Sequence, residues 1–257
     1  MVTHLIDQVK KLVHQAGAAI LAVYHDPAQN RQVDYKADDS PLTLADAAAN
    51  RILVAGLQAI APEIPVLSEE KKHQPYDERQ RWQRFWLVDP LDGTKEFINR
   101  NGEFTVNVAL IDQGRPVAGV VYVPVKNIMY WADERGAFKE ENNRLKPLAV
   151  RQAQSQRIAV RSKSHASPEE EEVLTRYEVV DSIAVGSSLK FCMVAEGKAD
   201  IYYRHGPTME WDTAAGQAIV EAAGGKVYIG NRPGQHFRYN KENLLNSSFL
   251  CLGFDHE

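Results

Sequence analysis

Apolar residues recur at three- and four-residue spacing from the start of the chain. Leu5, Ile6, Val9, Leu12, Val13, Ala16 and Ile20 line one face of a helix that ends near Asp26-Pro27. After a polar stretch, QNRQVDYKADDSP, Thr43 caps a second helix, LADAAANRILVAGLQAIAP, which Pro62 terminates. Val66-Leu67 reads as a short strand running into Ser68-Glu69-Glu70, and residues 71–84 as a charged, solvated loop. From residue 85 the period shortens. Phe85–Val88 is a continuous apolar run, the pattern of a strand buried on both faces. Thr105–Ile111 and Val117–Val123 flank the hairpin signal DQGRP, and Ile128–Ala132 with Ala137-Phe138 continue an antiparallel meander around Gly136. Beyond a polar connection, KEENNRLK, strands near 158–160, 183–185 and 201–203 alternate with helices near 188–196 and 211–223. This order predicts an α/β (α+β) layered sandwich, one domain with associated subdomains at about 1–150 and 151–257.

Composition narrows the class. The 257 residues are 44% hydrophobic and 25% charged, the proportions of an ordinary globular protein, and no apolar run reaches the ~20 residues of a membrane span. The N-terminus mixes charge with helical periodicity and lacks the apolar core of a signal peptide. The net charge of −4 carries no basic footprint for a nucleic-acid polymer, although a small anion needs only a few donors. Cys192 and Cys251, without metal-binding spacing, read as reduced thiols of a cytoplasmic protein.

The chemistry concentrates in four stretches. In Trp86-Leu87-Val88-Asp89-Pro90-Leu91-Asp92-Gly93-Thr94 an apolar strand delivers Asp89 at its end. Pro90 turns the chain, and Asp92 follows so that both carboxylates can face one point. Gly93 permits close backbone approach, and a helix over 95–99 begins beside Thr94. Two hard oxygen ligands next to free backbone amides suit Mg²⁺ and a phosphate. Ser68-Glu69-Glu70 again follows a short apolar strand, and only one of the two glutamates points into a site on an extended chain. Glu210-Trp211-Asp212-Thr213-Ala214-Ala215-Gly216 opens an Ala-rich helix, with Trp211 read as packing and the small residues as a close-approach surface. Thr43 and Asp46 form a capping box with Asp in place of Glu. Each stretch alone has an ordinary structural explanation.

Together they carry a resemblance. KADDSPLTLAD, LSEE, WLVDPLDGTKEF, GSSLKF and WDTAAG, spread over nearly the whole chain, resemble the inositol monophosphatase superfamily of Mg²⁺-dependent, lithium-sensitive phosphatases. LSEE, DPLDGTKEFINRNGEFTVNVALI and GSSLKFCMVAEGKAD look like its CysQ-type 3′(2′),5′-bisphosphate nucleotidase branch, whereas the inositol branch usually shows GEE. The resemblance implies an αβαβα sandwich of the sugar-phosphatase type. It also implies that Glu69, Asp89 and the Leu91 carbonyl hold one Mg²⁺ and that Asp89, Asp92 and Asp212 hold a second. Glu70 would lie in the outer sphere or support a third ion through water. Asp46 and Thr94 would orient and deprotonate the attacking water, with the Gly93 and Thr94 amides on the phosphate. Lys36 would approach the metal site, Ser188 and Lys190 would contact the nucleotide, and Arg204 the phosphate that is not cleaved.

The expected reaction is removal of the 3′-phosphate of adenosine 3′,5′-bisphosphate (PAP), or of its sulfated relative PAPS, by direct water attack, a role in sulfur metabolism. The eight histidines show no HxH or HExxH arrangement, and His165 and His205 read as surface residues. An inositol or sugar phosphatase is the nearest alternative, and a non-catalytic phosphonucleotide-binding protein is a more distant one. The family's habits suggest a homodimer, and attachment to the cytoplasmic face of the inner membrane is a further option that no polybasic or lipidation motif supports.

Overall fold

The computed structural model describes residues 2–29, 33–35, 41–153, 155–162 and 167–255. The chain runs α1 (Val2–His25), β1 (Val33–Tyr35), β2 (Pro41–Thr43), α2 (Leu44–Ile60), β3 (Val66–Ser68), α3 (Tyr76–Arg79), β4 (Arg84–Asp92) and α4 (Thr94–Ile98). A meander follows: β5 (Thr105–Asp112), β6 (Arg115–Val123), β7 (Ile128–Asp133), β8 (Gly136–Glu141) and β9 (Arg144–Pro147). The remainder is β10 (Arg157–Arg161), α5 (Pro168–Arg176), β11 (Val179–Ala184), α6 (Leu189–Ala195), β12 (Ile201–Arg204), β13 (Thr208–Met209), α7 (Glu210–Ala222), β14 (Lys226–Ile229), β15 (Leu245–Asn246) and β16 (Phe249–Leu252).

Two sheets organise these elements. One has seven strands in the order β3-β4-β5-β6-β7-β8-β9, antiparallel except for the parallel pair β3/β4. The other has five strands in the order β11-β10-β12-β16-β14. Helices α1 and α2 cover the outer face of the first sheet, α6 and α7 fill the space between the sheets, and α5 covers the far face of the second. The layers are therefore α, β, α, β, α, as expected.

Side-chain alternation builds the layers. Along β4, Trp86 and Val88 enter the core under α1 and α2, while Phe85 and Leu87 enter the core against α6 and α7. Both sets are buried, which explains the unbroken apolar run. Ala215 in α7 lies so close to β6 that a Cβ on Gly119 would stand 2.7 Å from the Ala215 carbonyl oxygen. The expected close approach of Ala214-Ala215-Gly216 is therefore real, although Gly216 itself faces the ring of Phe191 rather than a backbone.

Several elements depart from the reading of the sequence. Residues 71–84 are not simply a solvated loop: they contain α3, and Arg79 is buried, donating to Asn240 Oδ1 and to the carbonyls of Lys241 and Glu242. KEENNRLK is a hairpin joining β8 to β9, with Asn142 and Asn143 both at positive φ as a tight turn requires. Its polarity comes from edge exposure, not from absence of a strand. Strand β4 does not stop at Asp89 but continues to Asp92 across an irregularity in its pairing with β5. Helix α5 and strands β1, β2, β13, β14, β15 and β16 lie where the sequence pattern predicts no element, β1 and β2 pairing across part of the stretch read as a polar loop.

Candidate active site

The acids singled out from the sequence lie at the ends of four elements, α2, β3, β4 and α7. Thr43 caps α2, and Asp46 Oδ2 accepts both the Thr43 amide at 2.7 Å and its hydroxyl at 2.5 Å, completing the expected capping box. Asp46 is 2% exposed, and burial pushes its carboxyl up to about 6, with Glu70 and Glu69 adding to the rise and Thr43 opposing it. One turn along α2, Asn50 Oδ1 accepts the Ser68 hydroxyl at 2.8 Å while its amide donates to the Glu70 carbonyl at 3.2 Å. Asn50 thereby fixes the Glu69-Glu70 turn where β3 ends.

Asp89 is 1% exposed, and its Oδ1 accepts the Leu91 amide at 3.0 Å in a tight local turn. Burial raises its carboxyl well above the usual range, and Glu69, Asp92 and Asp212 raise it further. Gly93 sits at φ +90, a left-handed conformation that a side chain would strain, and opens α4 at Thr94. Asp92 Oδ2 accepts the amide and the hydroxyl of Ser188, each at 2.6 Å, and lies 3.3 Å from Asn107 Nδ2. The Ser188 hydroxyl is also 2.9 Å from the Asp212 carbonyl and accepts from Asn107 at 2.8 Å. Asp212 Oδ2 caps α7 by accepting the Met209 amide at 2.8 Å. Its surface is partly open to the cleft, yet protein surrounds the carboxyl densely enough that burial raises it, with Asp92 adding and Arg204 opposing.

A cleft of about 150 Å³ is lined by Asp92, Gly93, Ser188, Lys190, Arg204 and Asp212 among others. Lys190 is buried, its ammonium donating to the Ser187 carbonyl at 2.8 Å, and burial brings it down to about 8 against the pull of Asp92. Arg204 Nε donates to the Gly206 carbonyl at 3.0 Å. Asp46, Glu69, Glu70, Asp89, Leu91 and Thr94 lie outside that lining, but Asp46 and Asp89 both feel the charge of Glu69. Lys36 and His165 fall outside the described residues. His205 is half exposed, as expected.

Among the described residues, no three of these acids already stand as a ready-made ligand triangle. Asp92 and Asp212 each turn an oxygen toward a backbone amide, of Ser188 and Met209 respectively. The donor set nevertheless fits a hard divalent ion: it is all oxygen and acidic, Asp89 is buried at its centre, and neighbouring carboxylates raise the proton affinity of Asp89 and Asp212.

A family model described as the inositol monophosphatase family matches residues 1–250. The chain belongs to the inositol monophosphatase family. Within that family, a protein of Escherichia coli O157:H7 named 3′(2′),5′-bisphosphate nucleotidase CysQ is 51% identical over 246 residues, 95% of this chain and 98% of its own length. The crystal structure of CysQ from Bacteroides thetaiotaomicron is 42% identical, with a TM-score of 0.85 over 99% of this chain and 98% of that one. An IMPase from Thermotoga maritima, 22% identical with a TM-score of 0.76 over 96% of this chain and 91% of its own, shares the fold.

The sequence pattern assigns no role to Asn50, Asn107 or Glu210. Asn107 left a signal: it is the one polar side chain inside the otherwise apolar TVNVALI after its first residue. Glu210, fully buried, accepts the amides of Asn240 and Lys241 and the Lys241 ammonium, tying the 240s segment to the start of α7. Nothing in the sequence pairs residues so far apart.

Proposed function

We propose that this chain is a Mg²⁺-dependent 3′(2′),5′-bisphosphate nucleotidase that hydrolyses the 3′-phosphate of PAP to give AMP and phosphate, with PAPS as a second substrate. One observation carries the reading: 51% identity, over nearly the full length of both chains, to a protein of that name. The carboxylates gathered around the buried Asp89 support it. Glu69, Asp89, Asp92, Asp212 and the Leu91 carbonyl would hold two Mg²⁺, with Glu70 supporting a third through water. When bound, Mg²⁺ supplies countercharge to the phosphate and leaving oxygen and acidifies the attacking water.

The chain's own residues do the rest. Asp46, brought to about 6 by burial, is a base matched to neutral pH, and with Thr94 it orients the water and takes its proton. The Gly93 and Thr94 amides receive the phosphate. The Ser188 bonds and Asn107 hold Asp92 in a single orientation, so that little reorganisation accompanies the reaction. Lys190 and Arg204 supply positive charge on the wall where the uncleaved phosphate would rest. The buried thiols of Cys192 and Cys251 fit the reducing cytoplasm. No helix among the described residues is long and apolar enough to cross a membrane.

The test is phosphate release from PAP, 3′-AMP, 5′-AMP and inositol 1-phosphate, with Mg²⁺ and with Mg²⁺ plus lithium. PAP turned over fastest, and suppressed by lithium, is the expected result. Faster hydrolysis of inositol 1-phosphate would leave the metal chemistry standing and overturn the substrate.

A further inference from the structure

A second and larger cleft, of about 640 Å³, opens between the β5–β6 turn, the end of β14 and the 235–247 segment. Its volume is in the range of small-molecule sites. Three cationic side chains line it, Arg115, Arg238 and Lys241, and His236 adds a titratable edge. No acidic side chain does so. The floor is apolar: Phe237 is buried there, while Ile229 and Leu245 are 37% and 44% exposed.

The cations are incompletely used. Among the described residues the Arg115 side chain has no hydrogen-bond or ion-pair partner, and the carboxylate of Asp112, its register neighbour, is taken by Arg84. Arg238 makes one long contact, 3.5 Å to the Gln113 carbonyl. Glu221, just outside the cleft, feels Arg115 and lies 3.8 Å from His236, but its oxygen is engaged by Gln217 at 2.8 Å. A concentration of like charge beside exposed aliphatic surface, in a chain of net charge −4, is matched by a ligand that is both anionic and apolar.

Lys241 connects this cleft to the acids of the candidate active site. Its ammonium donates to Glu210 Oε1 at 2.7 Å and Asn246 Oδ1 at 3.0 Å. Asn246 donates to the Met209 carbonyl at 2.8 Å, Leu245 pairs with Met209 in the β13/β15 ladder, and the Met209 amide is the donor that holds Asp212. An anion that draws Lys241 from Glu210 therefore acts on the turn that aims Asp212.

We propose that this cleft is a second binding site, for an organic phosphate or sulfonate with an apolar body, and that its occupancy is coupled to Asp212 through Lys241, Asn246 and Met209. The coupling is to the phosphatase site of the reading above, whichever phosphate ester it prefers.

The probe is naphthalene-2-sulfonate, which has no phosphate to lose, titrated calorimetrically into the full chain, with inorganic sulfate and 2-naphthol as separate arms. Binding tighter than either arm, weakened at least about tenfold in Arg115→Ala/Arg238→Ala and unchanged in Asp92→Asn, is the expected result. Equal affinity in the double variant, or loss of binding in Asp92→Asn, overturns the site. Hydrolysis of whichever phosphate ester is turned over then reads the coupling. Saturating probe should shift kcat or KM by about fivefold in the wild type and not in the double variant. Tight binding without any kinetic response overturns the coupling alone. Because the calorimetry needs no turnover, a wrong substrate assignment leaves that result intact.

Discussion

Asp200 and Glu196 are acids enclosed by protein in the second half of the chain, and Asp89, buried, and Asp212, partly open to the cleft, are their counterparts at the candidate active site, but the surroundings differ in kind. Asp200, fully buried, is met by Arg151 Nε at 2.9 Å and by the Ile158 amide at 2.7 Å. Glu196 is held by Lys139 at 3.0 Å, Lys198 at 3.2 Å and the Tyr130 hydroxyl at 3.1 Å. Burial works against its charge, but the two lysines prevail and bring its carboxyl below the usual range. Asp89 and Asp212 have mainly other carboxylates as charged neighbours, and burial and repulsion push both upward. Where the chain supplies the countercharge, a buried acid is architecture. Where it withholds the countercharge, the acid is left for something brought in from solution.

The largest effect expected from that contrast is on turnover. Asp92→Asn keeps the shape and removes one ligand charge, so kcat/KM should fall roughly 10³-fold with Mg²⁺ present, while circular dichroism stays as in the wild type. Near-normal turnover would mean that the withheld charge serves no metal.

The next effect is on stability without metal. An acid whose folded value is raised binds its proton more tightly folded than unfolded, so its contribution is present at low pH and lost as pH rises. For Asp46 the loss runs from its unfolded value near 3.8 through about 6 and amounts to about 3 kcal/mol. Asp89 and Asp212 extend it upward. In EDTA the melting temperature should therefore fall between pH 5 and pH 8, and Mg²⁺ should restore it at pH 8. Equal melting temperatures at both pH values in EDTA would erase the contrast.

The smallest effect sharpens the other side. Glu196→Gln should cost about 2 kcal/mol at neutral pH by leaving Lys139 a weaker partner. Because the folded carboxyl titrates below its ordinary 4.5, the difference from wild type is full above that value and shrinks as pH falls through the lower folded one. Chemical denaturation at pH 7 and pH 3.5 reads both, and a pH-independent difference would show that packing, not charge, is what Glu196 contributes.

Legibility in the sequence followed the range of the interaction. The helix caps, the apolar run of β4 and the DPLDGT turn are written in residues a few positions apart, and periodicity or turn chemistry shows them. Thr43 with Asp46 is local in this sense. Asn107 with Ser188, Arg79 with Asn240, and Glu210 with Lys241 are pairings whose partners the chain order does not disclose. KEENNRLK hides its strands for a different reason. An edge hairpin exposes both faces of β9, so its residues lack the apolar alternation by which strands are recognised.

The capping box of α2 has one more consequence. Both bonds from Thr43 land on Oδ2 of Asp46, and neither uses Oδ1. Protonation proposed for this carboxyl can proceed on the oxygen that carries no structural weight. Because both bonds favour the charged carboxylate, loading the proton weakens them without severing either, so the helix start stays closed but less tightly held while the acid is protonated.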